Sequence, residues 1–132
     1  MTRQAFAVGG PLPPVTYPPI TRTQLALFAG GSGDHNPMHV DVDFARSGGM
    51  DDVFAHGMLV MALLGRAVTL WGAQAGLEAF SSRFVSMTQV GDRLTCSGEI
   101  RAVENGTAAI ALTVVNQDDQ TRLAGEARFK LS

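Results

Sequence analysis

The stretch His56-Gly57-Met58-Leu59-Val60-Met61-Ala62-Leu63-Leu64-Gly65-Arg66-Ala67-Val68-Thr69-Leu70-Trp71 decides the fold. Its apolar residues cover nearly the whole circumference of a helix, as in a helix buried on most sides. Arg66 interrupts it, and it falls short of the roughly 20 apolar residues that span a bilayer, so it reads as a core helix in need of a wrapper. Four strand-like stretches downstream, at about 78–88, 92–104, 107–116 and 121–131, supply one. Between them stand Gly91-Asp92, Asn105-Gly106 and Asp118-Asp119. Asn105-Gly106 is a strong hairpin signal because both residues tolerate positive φ. Residues 109–114 are apolar or small on both faces, which predicts a strand covered on both sides, whereas Arg122, Gly125, Arg128 and Lys130 predict a more exposed final strand. One helix followed by consecutive antiparallel strands is an α+β pattern.

Upstream, residues 9–19 carry five of the six prolines, which lack a ladder N–H. Residues 1–20 therefore read as an extended proline-rich lead-in with an edge strand around 15–17. Thr21 followed by Gln24 is a capping-box pattern and predicts a short helix over about 22–29, ended by glycines 30, 31 and 33. Residues 41–46 suit one or two helical turns before Ser47-Gly48-Gly49.

At 132 residues the chain reads as one domain, 1–132. A formal net charge of −2 with 17% charged residues offers no basic field, which argues against a nucleic-acid partner. No membrane span is expected. A single cysteine, Cys96, excludes an internal disulfide and suits a reducing compartment. Residues 1–10 lack a basic segment followed by an apolar one, so a cytoplasmic protein is expected.

The chemistry concentrates in Gly33-Asp34-His35-Asn36-Pro37-Met38-His39, seventeen residues before His56-Gly57-Met58. Asp34 and His39 straddle Pro37, a spacing that permits convergence across a turn rather than along a helix. A carboxylate and a near-neutral imidazole can together polarise one water. Taken singly, Asp34 is a turn or cap residue and His39 a core histidine; the whole run with its downstream partner points to catalysis. Gly57 lets a carbonyl oxygen approach unpaired N–H groups at the positive end of a helix. Asp34, His35, His39, Asp41 and Asp43 are dense in ligand types, but no zinc or calcium spacing appears, so no metal is expected.

These motifs, with Arg83-Phe84 and Gly91-Asp92 and the 21–28 helix, resemble the MaoC-like (R)-specific enoyl-CoA hydratases and (R)-3-hydroxyacyl-ACP dehydratases of the hot-dog fold. The resemblance covers nearly the whole chain. It implies an antiparallel sheet wrapped around the 56–71 helix, pairing into a dimer, with a homodimer expected because an uncovered edge strand is a liability. It also implies Asp34 and His39 as the catalytic acid–base pair and the Gly57 N–H as the thioester-oxygen donor. Either of the pair can activate water while the other protonates carbon. Met87 stands where relatives usually have proline, and His35 where they often have an apolar or aromatic residue.

The expected reaction is hydration of trans-2-enoyl thioesters, or dehydration of (R)-3-hydroxyacyl thioesters, with CoA or an ACP pantetheine as carrier and no other cofactor. Asn36, His56 and Met58 are candidate substrate-contacting residues. Their alternatives are loop bonding for Asn36, loop orientation or core packing for His56, and core packing for Met58. Arg66, Arg83 and Arg101 carry charge suited to CoA phosphates or an acidic carrier, although scattered arginines are ordinary solvated surface. A thioesterase on the same fold and a non-catalytic acyl-binding or partner subunit are the rival readings.

Overall fold

The structure, a computed structural model, describes residues 8–131. The first seven residues of the expected lead-in, and Ser132, lie outside the described residues. Helix α3 (Gly57–Trp71) packs against a five-stranded antiparallel sheet of β1 (Val15–Thr16), β2 (Leu77–Phe84), β3 (Thr95–Glu104), β4 (Thr107–Val115) and β5 (Thr121–Lys130), in the order β1-β3-β4-β5-β2. Two shorter helices, α1 (Arg22–Ser32) and α2 (Val42–Ser47), precede α3.

Leu59, Val60, Leu64, Ala67, Val68 and Trp71 form the buried face of α3 and meet Ile100, Ile110, Leu123 and Phe129 of the sheet in one core. The proline-rich lead-in lies across the helix. Tyr17 Oη donates to the Leu63 carbonyl at 2.7 Å, and Trp71 Nε1 donates to the Pro13 carbonyl at 2.7 Å. The all-round burial expected of α3 is only partly met, because a single sheet layer and one extended segment cannot enclose a cylinder. Met58 and Leu70 remain 57% and 50% exposed.

Asn105 (φ 52°) and Gly106 (φ 75°) form the two-residue turn between β3 and β4, as the sequence predicts. On β4, Ala108, Ile110, Leu112 and Val114 are buried beneath the helix, while Ala109, Ala111 and Thr113 on the other face are not, so only one face of this strand is covered. The final strand corrects its expectation as well. β5 lies inside the sheet between β4 and β2, and Arg122 is buried, its charge met by Asp92 at 3.1 Å. A partner thirty residues away turns an apparent surface cation into a core residue.

Candidate active site

Helix α1 begins at Thr21, whose side chain accepts from the Gln24 N–H at 3.1 Å. It runs past the expected end through Gly30 and Gly31 and stops at Gly33, where a φ of 78° turns the chain and the Gly33 N–H reaches the Ala29 carbonyl. Buried Leu25 and Ala29 anchor the helix well enough to carry two exposed glycines.

The next six residues form a ladder of short-range bonds. Asp34 Oδ1 accepts from the Asn36 N–H at 3.3 Å, and Asn36 Oδ1 accepts from the Met38 N–H at 3.1 Å. Pro37 opens a single 3₁₀ turn that ends at His39. The turn reading of Asp34 is thus correct and compatible with chemistry, because its second carboxylate oxygen is left for other partners. Asp41 caps α2 by accepting from the Phe44 N–H.

His39 is buried, and its Nδ1 lies 2.7 Å from the Phe54 carbonyl oxygen. A carbonyl oxygen can only accept, so Nδ1 carries the proton and Nε2 keeps a bare lone pair. Behind it, His56 stacks on His39 with ring centroids 3.9 Å apart. By the same logic His56 Nε2 donates to the Asp34 main-chain oxygen at 3.1 Å, while its Nδ1 is buried without a partner among the described residues. Burial, with a smaller contribution from nearby His39, pulls the His56 pKa below its ordinary value even though the Asp34 carbonyl opposes the shift.

His56 also caps α3. The Leu59 and Val60 N–H groups turn back to its carbonyl, whereas the Gly57 and Met58 N–H groups have no acceptor among the described residues. A side chain at Gly57 would put its Cβ 2.9 Å from the Phe84 ring, so glycine keeps this approach open.

Asp34, His39, Gly57 and Met58 line one cavity of about 470 Å³. Phe54, Ala55, Val60, Phe84 and residues 85–88 complete most of the wall, together with Arg122. Asn36 is exposed and serves as the cap of the 3₁₀ turn, and His56 sits behind His39; neither lines the cavity. The β2–β3 loop and Arg122 were missed from sequence because their place depends on pairing. The Ala55 N–H bonds the Thr88 carbonyl, and the Val85 and Ser86 N–H groups bond the Arg122 carbonyl. Met87 lies within this same wall.

Asp34, His39 and His56 each bring one ligand atom within 4.8 Å of the others. His39 Nδ1 and His56 Nε2 each donate to a main-chain carbonyl oxygen, so neither atom has a lone pair to offer an ion. The trio suits proton handling better than metal coordination.

The family of the MaoC like domain matches residues 5–121. The chain belongs to the MaoC-like family. Among its relatives, the (R)-specific enoyl-CoA hydratase of Aeromonas caviae is 30% identical over 112 residues, which cover 82% of this chain and 84% of that protein. The 3-hydroxyacyl-thioester dehydratase Z of Mycobacterium tuberculosis is 33% identical over 106 residues, covering 72% and 70%. Fungal fatty acid synthase β subunits also match, with 35% identity over 110 residues in Aspergillus oryzae. This MaoC-like chain spans only 5% of that relative's length. The solved (R)-hydratase of A. caviae involved in PHA biosynthesis superposes with a TM-score of 0.86 at 27% identity, over 98% of this chain and 99% of that one. The hot-dog fold is therefore the fold of this chain.

Proposed function

We propose that this chain is a hydro-lyase that adds water reversibly to trans-2-enoyl thioesters and forms (R)-3-hydroxyacyl thioesters. One observation carries the reading: the Asp34 carboxylate, His39 and the N-terminus of α3 at Gly57 face a single cavity. The names and similarity of the hydratase and dehydratase relatives support it over a thioesterase or a non-catalytic partner subunit.

In hydration, Asp34 accepts one hydrogen of a water and the bare Nε2 of His39 takes the other as a proton. The water oxygen bonds to C3, and the C2–C3 π pair moves through the conjugated carbonyl onto the thioester oxygen. The Gly57 N–H holds that developing negative charge. The His39 imidazolium then returns its proton to C2, the thioester carbonyl re-forms, and His39 is neutral again. Water, one imidazole and one carboxylate complete the proton inventory, so the reaction asks for no metal or redox cofactor. The thioester arrives on CoA or on an ACP pantetheine arm.

A homodimer fits the apolar surface around the cavity mouth. β2 is an edge strand, and Phe84 at its end, Val85 beyond it and Met58 of α3 are all about half exposed. A cytoplasmic location is consistent with one buried cysteine whose thiol burial pushes up to about 12, and no described helix is long and apolar enough to cross a membrane.

The test is incubation with crotonyl-CoA, longer trans-2-enoyl-CoAs and the matching ACP thioesters, following loss of the enoyl absorbance and resolving the product's stereochemistry. Formation of the (R)-3-hydroxy product is expected. Absence of turnover across the whole panel overturns the proposal.

A further inference from the structure

The loop that carries Asp34 and His39 is pinned at both ends by one short segment. At its far end His39 Nδ1 donates to the Phe54 carbonyl at 2.7 Å, and the Phe54 N–H returns to the Met38 carbonyl at 3.4 Å. At its near end the tie runs from His56 Nε2 to the Asp34 carbonyl at 3.1 Å. The other hydrogen bonds of Asp34 among the described residues go to Ser32 and Asn36, two positions away on either side, and so hold nothing beyond the loop itself. The distance between the carboxylate and the imidazole is therefore set by residues 54 and 56.

Packing alone does not ask for histidine at position 56. The side chain is 1% exposed, His39 stacks on its ring, and Phe28 meets it edge-on at 4.8 Å. A phenylalanine in these surroundings would have no polar atom to satisfy. Histidine instead leaves Nδ1 buried and without a partner among the described residues, a desolvation cost that a carbon ring avoids. What histidine supplies in exchange is the Nε2–H donor to Asp34.

We infer that His56 is a positioning residue of this site. It does not line the cavity, and it acts by tying the Asp34 main chain to the segment that also holds His39 and opens into Gly57. The inference rests on the hydro-lyase reading above. The His56 carbonyl accepts from the Leu59 and Val60 N–H groups, so one residue fixes the carboxylate, the imidazole and the helix N-terminus relative to one another. Loss of the tie leaves the cavity wall as it was and loosens the hold on water, so kcat falls while KM stays.

Two variants pull packing and positioning apart. His56→Phe keeps a stacking ring and removes the donor, whereas His56→Gln removes the ring and can place an amide N–H near the site of Nε2. With crotonyl-CoA, His56→Phe is expected to lose about tenfold in kcat, the scale of one hydrogen bond, with KM within about twofold of wild type. His56→Gln is expected to fall between the two. A packing role predicts the reverse order, and that order, or a wild-type kcat in folded His56→Phe, overturns the inference. Crystal structures of the variants read the same point without turnover: the Asp34 main chain is expected to move away from His39 in His56→Phe and to keep its place in His56→Gln. An unmoved Asp34 in His56→Phe refutes the positioning role, and this structure decides the matter even where His56→Gln does not fold. Should the wild type turn over no thioester, the hydro-lyase reading has failed on its own, and the His56→Phe structure still shows whether His56 sets the spacing of Asp34 and His39.

Discussion

The imidazoles of His39 and His56 lie face to face at 3.9 Å with 27° between their planes, and their N–H bonds run to two separate connecting segments of the chain. His39 is tied to the Phe54 carbonyl and His56 to the main chain of Asp34. The rear ring therefore holds both the plane of the front ring and the backbone that carries the carboxylate. Because burial keeps His56 neutral, no second positive charge stands behind His39 when it accepts a proton.

That arrangement has a signature in stability. His56 is held below its ordinary pKa, so as pH falls through about 6.5 the unfolded chain takes up a proton that the folded chain refuses. This contribution is fully present above that pH and is lost below it, toward the depressed folded value. His56→Phe keeps a stacking ring and removes the titration. Thermal midpoints measured across this window are expected to fall less steeply for the variant, and identical slopes would contradict the assignment.

Asp34→Asn removes the carboxylate charge that holds the water, and His39→Ala removes the base that takes its proton. Each is expected to lower kcat by about a hundredfold or more, the scale of general acid–base catalysis. Circular dichroism should report an intact fold, since Asp34 is exposed and His39 lies in a loop turn rather than in the sheet. Near-wild-type turnover in either variant would remove that residue from the mechanism.

Gly57→Ala places a methyl group against the ring of Phe84 at the start of α3. Phe84 is half exposed and can swing aside, so folding is expected to survive while the path to the helix N–H narrows. Loss of this donor is worth on the order of 3 kcal/mol in the barrier, read as a fall in kcat. An unchanged kcat would place the thioester oxygen elsewhere.

Arg122→Met strips the partner from a carboxylate buried among Asn116, Gln89 and the β5 wall. Breaking a buried pair from one side costs about 3–5 kcal/mol, so a clear drop in the denaturation midpoint is expected. Adding Asp92→Asn to the same protein should recover part of that loss by removing the orphaned charge. Equal stability of single and double variants would show that the pair is not coupled.

The one-dimensional pattern was enough for the elements and for naming the residues that the fold brings to one cavity. The apolar run at 56–71, the Asn105-Gly106 turn and the Thr21 cap are local signals, set by side-chain periodicity and backbone preference within a few residues, and each appears where it was read. Asp34, His39 and Gly57 were recognisable because their motif is compact in sequence. What only folding decided was who stands beside whom across long separations. Arg122 looked like surface until Asp92 neutralised it, His56 had no defined role until it stacked on His39, and Thr88 joined the cavity only because its carbonyl pairs with the Ala55 N–H. Burial and charge pairing are properties of three-dimensional neighbours, and no stretch of chain carries them alone.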